Sequence, residues 1–355
     1  PKDTRGFEID EKTGEPTGIL KEDALEYAER VLKPSVNECL KGVKLAVNHS
    51  LKCGVTSVQD TVMSNHFSAY QIAMLENQLK VRIYTFPWYT NLEYLTALGL
   101  RGRFGNNWLK IGGIKLMVDG SIGARTAALM EPYNDDPSNK GMILIEEDDL
   151  AEIIKKANEN GLQVAAHAIG DRAIETLLNA FEKASKGINI KNRRHRIEHL
   201  ELPTEDHIDR MRKLGLIASM QPNFVAEWGM PNGMYEQRFG KERWRRNNPF
   251  KLVLEKGVVL AFGSDCMPFG PIYGIWSAVN HPVEESRLSV EEALRAYTKG
   301  SAYAAFEEKI KGSIEIGKLA DMVVLTKDPF KIPPKNIRDI RIFMTIVDGK
   351  LLYKA

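Results

Sequence analysis

Short apolar runs alternate with longer amphipathic segments through most of the chain. Runs begin near residues 55, 81, 113, 163, 194, 216 and 258, and the amphipathic segments before, between and after them include residues 36–52, 67–78, 150–160, 173–184, 205–214 and 290–306. In residues 150–160 the apolar positions are 150, 153, 154 and 157, the period of an α-helix. Strands that alternate with helices predict an α/β fold with a parallel sheet, and this many repeats predict a (β/α)₈ TIM barrel.

The pattern provides seven strands, whereas a (β/α)₈ barrel has eight. No run between the seven could supply the eighth, so we expect strand one to precede Pro1. Residues 1–34 are polar and turn-rich, and we interpret them as the remnant of an upstream region.

The pattern changes after Lys309. Two short β-like runs, Ala320-Asp-Met-Val-Val-Leu325 and Ile342-Phe-Met-Thr-Ile-Val347, are followed by Asp348-Gly349, a strong hairpin signal. We therefore predict a barrel over residues 35–308 and, over residues 309–355, part of a small β domain that is too short to close alone.

Composition and charge indicate which kinds of partner and which cell compartment to expect. The 355 residues carry 49 basic and 47 acidic side chains, a net charge of +2, which gives no electrostatic reason to expect nucleic acid or membrane partners. No apolar run approaches the roughly 20 residues of a membrane helix. Three scattered cysteines without a CxxC motif fit a reducing cytoplasm. The sequence leaves open whether the protein forms a homo-oligomer.

Alternation along the strands aims several reactive side chains at the barrel axis. It turns Lys115 and Asp119 inward and places His167, His199 and Asp265 inward at strand ends. Each also has a structural interpretation: a strand-end histidine is more often a satisfied structural group, Asp265 could cap the next helix, and Lys115 could pair with Asp119. Imidazole and carboxylate together suit zinc and related divalent metals. Residue types alone leave a metal site and separate structural roles both open.

A set of motifs, in this order and spacing, resembles the amidohydrolase superfamily. They are His167-Ala-Ile-Gly-Asp-Arg-Ala173, Arg196-Ile-Glu-His199, Gln221-Pro222, Phe262-Gly-Ser-Asp265 and Gly317-Lys-Leu-Ala-Asp321. Two more, Lys115-Leu-Met-Val-Asp-Gly-Ser121 and Ala296-Tyr-Thr298, are similar to the branch called amidohydrolase family 3, which includes N-substituted formamide deformylase-like proteins. The resemblance runs from about residue 14 to the end of the chain.

The resemblance implies a metal-dependent hydrolase of C–N bonds, in a (β/α)₈ barrel with an appended β-sandwich. Its small-molecule substrate would be an amide, an N-acyl or N-formyl compound, or a cyclic amide. His167 and His199 would bind one divalent metal, with zinc as the expected ion. Lys115 would be a carboxylated lysine that bridges two ions, and Asp265 would bind metal and act as the general base.

The sequence departs from this family at one point. Strand one of the superfamily ends in His-x-His, which supplies two ligands to the other metal, and no two of the seven histidines here lie two apart. One ion could be held by the residues present, whereas a second needs the upstream motif. A noncatalytic binding or regulatory protein is therefore the alternative. A phosphate-binding barrel enzyme is disfavoured, because the acidic Asp265 ends a motif without a Gly-rich phosphate loop.

Other candidates carry weaker signals. Gly120 and Arg125 lie in the segment that follows the lysine strand, directly after Asp119. This segment either lines the site or is a plain loop. Asp171 and Arg172 are expected to cap and position the helix after His167. Residues 224–248, which include Trp228, form a long irregular segment that we interpret as a lid over the cavity or as a structural flap.

Overall fold

The architecture was obtained as a computed structural model that describes residues 6–25, 28, 32–266 and 268–355. An antiparallel hairpin of β1 (Phe7–Ile9) and β2 (Pro16–Leu20) comes first. Two sheets with parallel strands follow. The first has the order β3-β4-β6-β5, with β3 (Ser57–Val62), β4 (Arg82–Pro87), β5 (Phe104–Gly105) and β6 (Leu109–Ile111). The second has the order β7 to β11, with β7 (Gly113–Met117), β8 (Gln163–Ala168), β9 (Arg196–His199), β10 (Ile217–Met220) and β11 (Val259–Phe262).

The two sheets meet at Gly112, the one residue between β6 and β7. Its N–H donates to the Thr85 carbonyl over 2.8 Å, and a parallel bridge pairs Trp88 with Lys115. Strand β4 therefore borders both β6 and β7, and the parallel strands form one arc. Only glycine fits at this junction, because a Cβ on Gly112 would lie 1.9 Å from Cε1 of the buried Tyr84.

The predicted α/β fold with a parallel sheet is confirmed, and each of the seven predicted runs contains a strand of the arc. Strands β5 and β6 were not predicted. Within the described residues no ladder joins β3 to β11, so the sheet is an open arc and a closed barrel is not seen. The eighth strand and the domain boundaries stay predictions.

Helices link the strands of the arc and cover its outer face. Their bounds are α1 Val36–Lys52, α2 Ser64–Leu75, α3 Leu92–Ala97, α4 Glu147–Glu159, α5 Asp171–Ala184, α6 Glu205–Leu214, α7 Pro222–Trp228, α8 Met234–Arg245, α9 Phe250–Glu255, α10 Pro271–Val279, α11 Val290–Arg295 and α12 Ser301–Ala304. Ser35 and Glu38 form a capping box that begins α1 at its predicted first residue. No helix in the described ranges has the length and apolar character to cross a membrane.

The main core lies between the arc and these helices. Ile114, Leu116 and Val118 are fully buried there with Leu150 and Ile154 of α4. Alternation predicted this arrangement, because successive side chains of a strand point to opposite faces of the sheet. The intervening side chain, Lys115, therefore faces the interior of the arc.

The region after residue 309 contains a three-stranded antiparallel sheet of β12 (Met322–Leu325), β13 (Ile342–Val347) and β14 (Lys350–Lys354). The predicted hairpin is present, with positive φ at Asp348 and Gly349. Arg82 at the start of β4 joins this sheet to the arc, because its guanidinium lies 2.6 Å from the carboxylate of Asp321 and 3.2 Å from that of Asp348.

Candidate functional site

Two buried histidines meet at the carboxyl ends of neighbouring parallel strands. His167 belongs to β8 and His199 ends β9, and their ring centroids lie 4.5 Å apart at an interplanar angle of 68°. The predicted proximity of these two residues is thus present in the structure. The two imidazoles therefore lie at the carboxyl edge of the parallel sheet, which is where such folds hold reactive groups.

Hydrogen bonds to the two imidazoles use different ring nitrogens. Nε2 of His167 lies 3.1 Å from the carbonyl oxygen of Gly120, whereas Nδ1 of His199 lies 2.8 Å from Oε1 of Gln221. An oxygen acceptor requires the nitrogen that faces it to carry the hydrogen. The lone pairs are therefore on Nδ1 of His167 and Nε2 of His199, the form in which an imidazole binds metal.

Burial favours the neutral form of both rings. Burial is the largest of the effects that lower the pKa of His167 well below 6.5, and the neighbouring His199 and Lys115 lower this pKa further. Burial likewise lowers the pKa of His199, with Lys115 next in effect. Both histidines are thus neutral near pH 7, as a metal ligand must be.

The backbone at the end of β9 determines the direction of His199. Ile197 packs in the core between sheet and helices, so strict alternation would point His199 outward as well. His199 and Leu200 instead have φ angles of 74° and 50°, a left-handed conformation that costs energy for residues other than glycine. This turn of the backbone, and not alternation, brings the His199 ring to His167.

Lys115 lies in the interior of the arc near an ion pair on β9. Its side chain is buried, and burial lowers its pKa, while the charges of Glu198 and Asp265 act in the opposite direction. Burial would raise the pKa of Glu198, but Arg196 outweighs it and lowers that pKa to about 2. Arg196 binds Glu198 and also donates to Oγ of Ser219 over 3.1 Å. A carboxylate with a fixed partner therefore faces the lysine.

Asp265 is exposed, although its charge still acts on Lys115 and His199, where it opposes the lowering of their pKa values by burial. It lies in an exposed turn after β11, with φ of 45°. Among the residues that the structure describes, no group of three or more His, Cys, Asp and Glu side chains is arranged to hold a metal ion. The structure thus brings two of the predicted ligands together and places Lys115 inward, but it does not join Asp265 to them.

Asp119 and Gly120 position the neighbouring loops. The carboxylate of Asp119 accepts backbone N–H groups of Ala128 and Gly170 at 2.9 Å and of Ile169 at 3.0 Å. Burial raises its pKa to about 8, and the three donors act against that rise. Asp119 therefore links the loops after β7 and β8, and Oδ1 of its fully buried carboxylate also lies 3.5 Å from Nε2 of His167.

Asp171 and Arg172 bind backbone groups and not the histidine pair. Asp171 accepts the N–H of Met130 over 2.8 Å, and Arg172 donates to the carbonyl of Gly141 over 3.0 Å. Both contacts fasten the loop after β7 to the start of α5. The N-cap of α5 is Gly170, and no side chain caps the helix, so the predicted cap is not seen, while the positioning role stays a prediction.

The segment after β10, residues 222–248, is called the cover below. The prediction of an irregular segment was wrong, because α7 and α8 account for most of it. Phe224 stacks on His199 with centroids 6.0 Å apart and an interplanar angle of 10°, and Trp228 lies 4.8 Å from Phe224. The cover therefore touches the histidine pair through Phe224, and Trp228 forms the next ring outward.

Arg125 connects the loop after β7 to the cover. It lies 3.0 Å from Asp135, whose carboxylate also binds Arg238 of α8. The guanidinium thus holds a structural ion pair and does not face the two imidazoles.

The sequence did not reveal the roles of Gln221 and Glu201. Gln221 was part of a motif, but only the fold shows that it faces His199. Glu201, two residues after His199, is buried, and burial raises its pKa to about 7. The N–H of Asn248 donates to the Glu201 carbonyl over 2.7 Å, which ties the end of the cover to the strand end.

Comparisons with known proteins identify relatives of the chain. A family profile described as "Amidohydrolase family" matches residues 3–353. The chain is 32% identical to "Putative amidohydrolase YtcJ" of Bacillus subtilis, over 100% of the chain and 69% of that protein. It is 25% identical to an "N-substituted formamide deformylase" of Arthrobacter pascens, over 98% of the chain and 68% of that protein.

The fold is also similar to that of a solved structure. An uncharacterized metal-dependent hydrolase from Pyrococcus furiosus superposes with a TM-score of 0.76 at 34% identity, and covers 87% of this chain. The chain spans 64% of that protein's length.

Proposed function

Because the chain belongs to the amidohydrolase family, we propose that the protein is a metal-dependent hydrolase of C–N bonds in small molecules. Amides, N-acyl or N-formyl compounds and cyclic amides are the substrate classes. The names of a formamide deformylase relative and a metal-dependent hydrolase neighbour support this proposal. We also infer that the arc from β3 to β11 is part of a (β/α)₈ barrel.

One observation carries the proposal: the hydrogen bonds to the histidine pair leave one lone pair on each ring. Nδ1 of His167 and Nε2 of His199 would hold a divalent metal, with zinc as the first choice for imidazole nitrogen. Two buried, neutral imidazoles fit such an ion. Lys115 in its carboxylated form, which is anionic, would be a further ligand, and burial assists that form because it lowers the pKa of the amine.

The reaction would use both a bound metal and side chains of this protein. A divalent metal, when bound, lowers the pKa of water from 15.7 to about 7 and polarises a carbonyl. Asp265 accepts a proton from the attacking water and returns it to the leaving nitrogen. Phe224 and Trp228 of the cover exclude bulk water from one side of the site. Gly120 and Gln221 hold the imidazoles in place.

The exposure of Asp265 favours a second candidate function. A noncatalytic protein that uses the same pocket for binding or regulation would need the two histidines but no general base. The two functions differ in turnover and not in metal binding.

Metal analysis and substrate turnover test the proposal together. The purified full chain should contain near-stoichiometric divalent metal, and His167→Ala and His199→Ala should lose it. His49→Ala, a change at an exposed position of α1, is the matched control and should keep it. Chelation should abolish hydrolysis of a panel of formamides, N-acyl amines and cyclic amides, and added metal should restore it. Bound metal without turnover of any panel member would support the noncatalytic function.

Mass spectrometry tests the role of Lys115. Under native conditions with bicarbonate, the metal-loaded protein should gain the mass of one CO₂, and Lys115→Met should not. An unmodified lysine in an active, metal-loaded protein would contradict the bridging role.

A further inference from the structure

Glu22, which follows the amino-terminal hairpin, contacts the loop after β7 that borders the histidine pair. It begins a short 3₁₀ turn, Glu22–Ala24, separated from β2 by one residue, with a left-handed φ of 46°. Oγ1 of Thr126, in the loop after β7, donates to Oε1 of Glu22 over 2.5 Å. The two residues are 104 positions apart in sequence, so the contact exists only in the folded chain.

The carboxylate of Glu22 packs directly on Gly120. A Cβ on Gly120 would lie 2.1 Å from Oε1 of Glu22 and 2.2 Å from Oγ1 of Thr126, distances that no side chain tolerates. The glycine therefore makes room for the carboxylate and the hydroxyl. The carbonyl of the same Gly120 is the group that faces Nε2 of His167 at 3.1 Å.

A chain of hydrogen bonds fixes this loop. The N–H of Ser121 donates to Oγ1 of Thr126 over 3.0 Å, and that hydroxyl donates its hydrogen to Glu22. Thr126 is buried, and the Ser121 carbonyl, a second acceptor for its hydroxyl, lies farther away than Glu22, at 3.5 Å. The peptide between Gly120 and Ser121 is thereby held on both sides, and with it the direction of the Gly120 carbonyl.

We propose that Glu22 is a positioning residue for His167, which acts through Thr126 and the Gly120 carbonyl. This inference rests on the proposed metal-binding function. Glu22 holds the carbonyl that keeps the hydrogen of His167 on Nε2 and leaves Nδ1 as the metal ligand. Contacts one step behind the ligands change metal affinity by about 10- to 100-fold when they are removed. Glu22 acts through the Gly120 carbonyl and so lies further back, and we expect the lower end of that range, about tenfold.

Titration with Co²⁺ tests the role of Glu22 without substrate. In the full chain, Glu22→Ala should weaken Co²⁺ binding by about tenfold and change the visible absorption spectrum of the bound ion. Glu22→Gln should restore most of the affinity, because its amide oxygen can still accept from Thr126. Thr126→Val, which removes the donor and keeps the volume, should reproduce the effect of Glu22→Ala.

Glu8→Ala is the matched control. It removes a carboxylate from the same hairpin, where Glu8 pairs with Lys21 at 2.8 Å, and should leave Co²⁺ binding unchanged. Wild-type affinity and spectrum in Glu22→Ala or Thr126→Val, with unchanged melting temperature, would overturn the proposal. Equal losses in Glu8→Ala and Glu22→Ala would also overturn it, because they would indicate a general charge effect.

The variant His167→Ala distinguishes a failure of the proposed role of Glu22 from a failure of the proposed metal site. Loss of Co²⁺ binding in His167→Ala, with none in Glu22→Ala, would contradict only the role of Glu22. Unchanged binding in His167→Ala would overturn the metal site itself and the role of Glu22 with it.

Discussion

Oε1 of Gln221 lies 2.8 Å from Nδ1 of His199, so the glutamine determines which imidazole nitrogen carries the hydrogen. Gln221 directly follows β10, and His199 ends the neighbouring β9. The parallel register of these two strands places the pair side by side. His199 thus presents Nε2 to the site, whereas the equivalent bond at His167 leaves Nδ1.

Removal of the Gln221 amide should weaken the metal centre. Gln221→Leu keeps the size of the side chain but removes the acceptor, and we expect metal affinity to fall by about 10- to 100-fold. Zinc titration calorimetry would measure this. Gln237→Leu, on α8 of the cover, is the control and should bind zinc normally. Equal affinities in wild type and Gln221→Leu would show that the bond does not orient His199.

Replacement of Asp265 should separate catalysis from folding. Asp265→Asn removes the proposed general base, and kcat should fall by about 10²- to 10⁴-fold. Because Asp265 is exposed, the melting temperature should change little. Asp328→Asn, in an exposed loop, is the control for loss of a surface charge. An unchanged kcat in Asp265→Asn would exclude the base role.

Two glycine substitutions should have opposite effects on stability. Gly112→Ala places a Cβ 1.9 Å from Tyr84 in the packed interior and should destabilise the fold by about 1–3 kcal/mol or more. Gly42→Ala lies within α1 with nothing near its added Cβ, and should stabilise the fold by about 1 kcal/mol. Urea unfolding would measure both. Similar free energies of unfolding for the two variants would contradict the crowded junction between β6 and β7.

Acid should destabilise the protein through a buried histidine outside the site. Burial lowers the pKa of His281 from 6.5 to about 4, so the unfolded state binds a proton between these values and the folded state does not. Stability is therefore fully present above pH 6.5 and is lost as the pH falls toward 4, by about 3 kcal/mol for this residue.

Urea unfolding from pH 7 to pH 4 tests the contribution of His281. His281→Asn retains an acceptor for the N–H of Val283, which lies 3.0 Å from Nδ1, and its stability should depend less steeply on pH. The exposed His49→Asn should retain the wild-type slope. A wild-type slope in His281→Asn would assign the acid sensitivity to other groups.

The sequence predicted the elements with strong periodicity. α1 and α6 have the predicted bounds, because each combines an amphipathic pattern with an N-cap. The cover was not predicted to be helical: its two helices are short, and Gly240 interrupts the second with φ of 73° and ψ of 165°. Local pattern is weak over such lengths, and packing against Ile122 and Ile169 decides the conformation.

The sequence by itself determined the family, the order of the seven predicted strands, the inward direction of Lys115, and the two strand ends that carry histidines. These properties depend on local period and on motif spacing. Only the tertiary structure decided which ring nitrogens remain free, why His199 turns toward His167, and that Asp265 stands in an exposed turn. The physical reason is that the partners of these groups come from distant parts of the chain: Gln221 lies 22 residues from His199, and Gly120 lies 47 residues from His167.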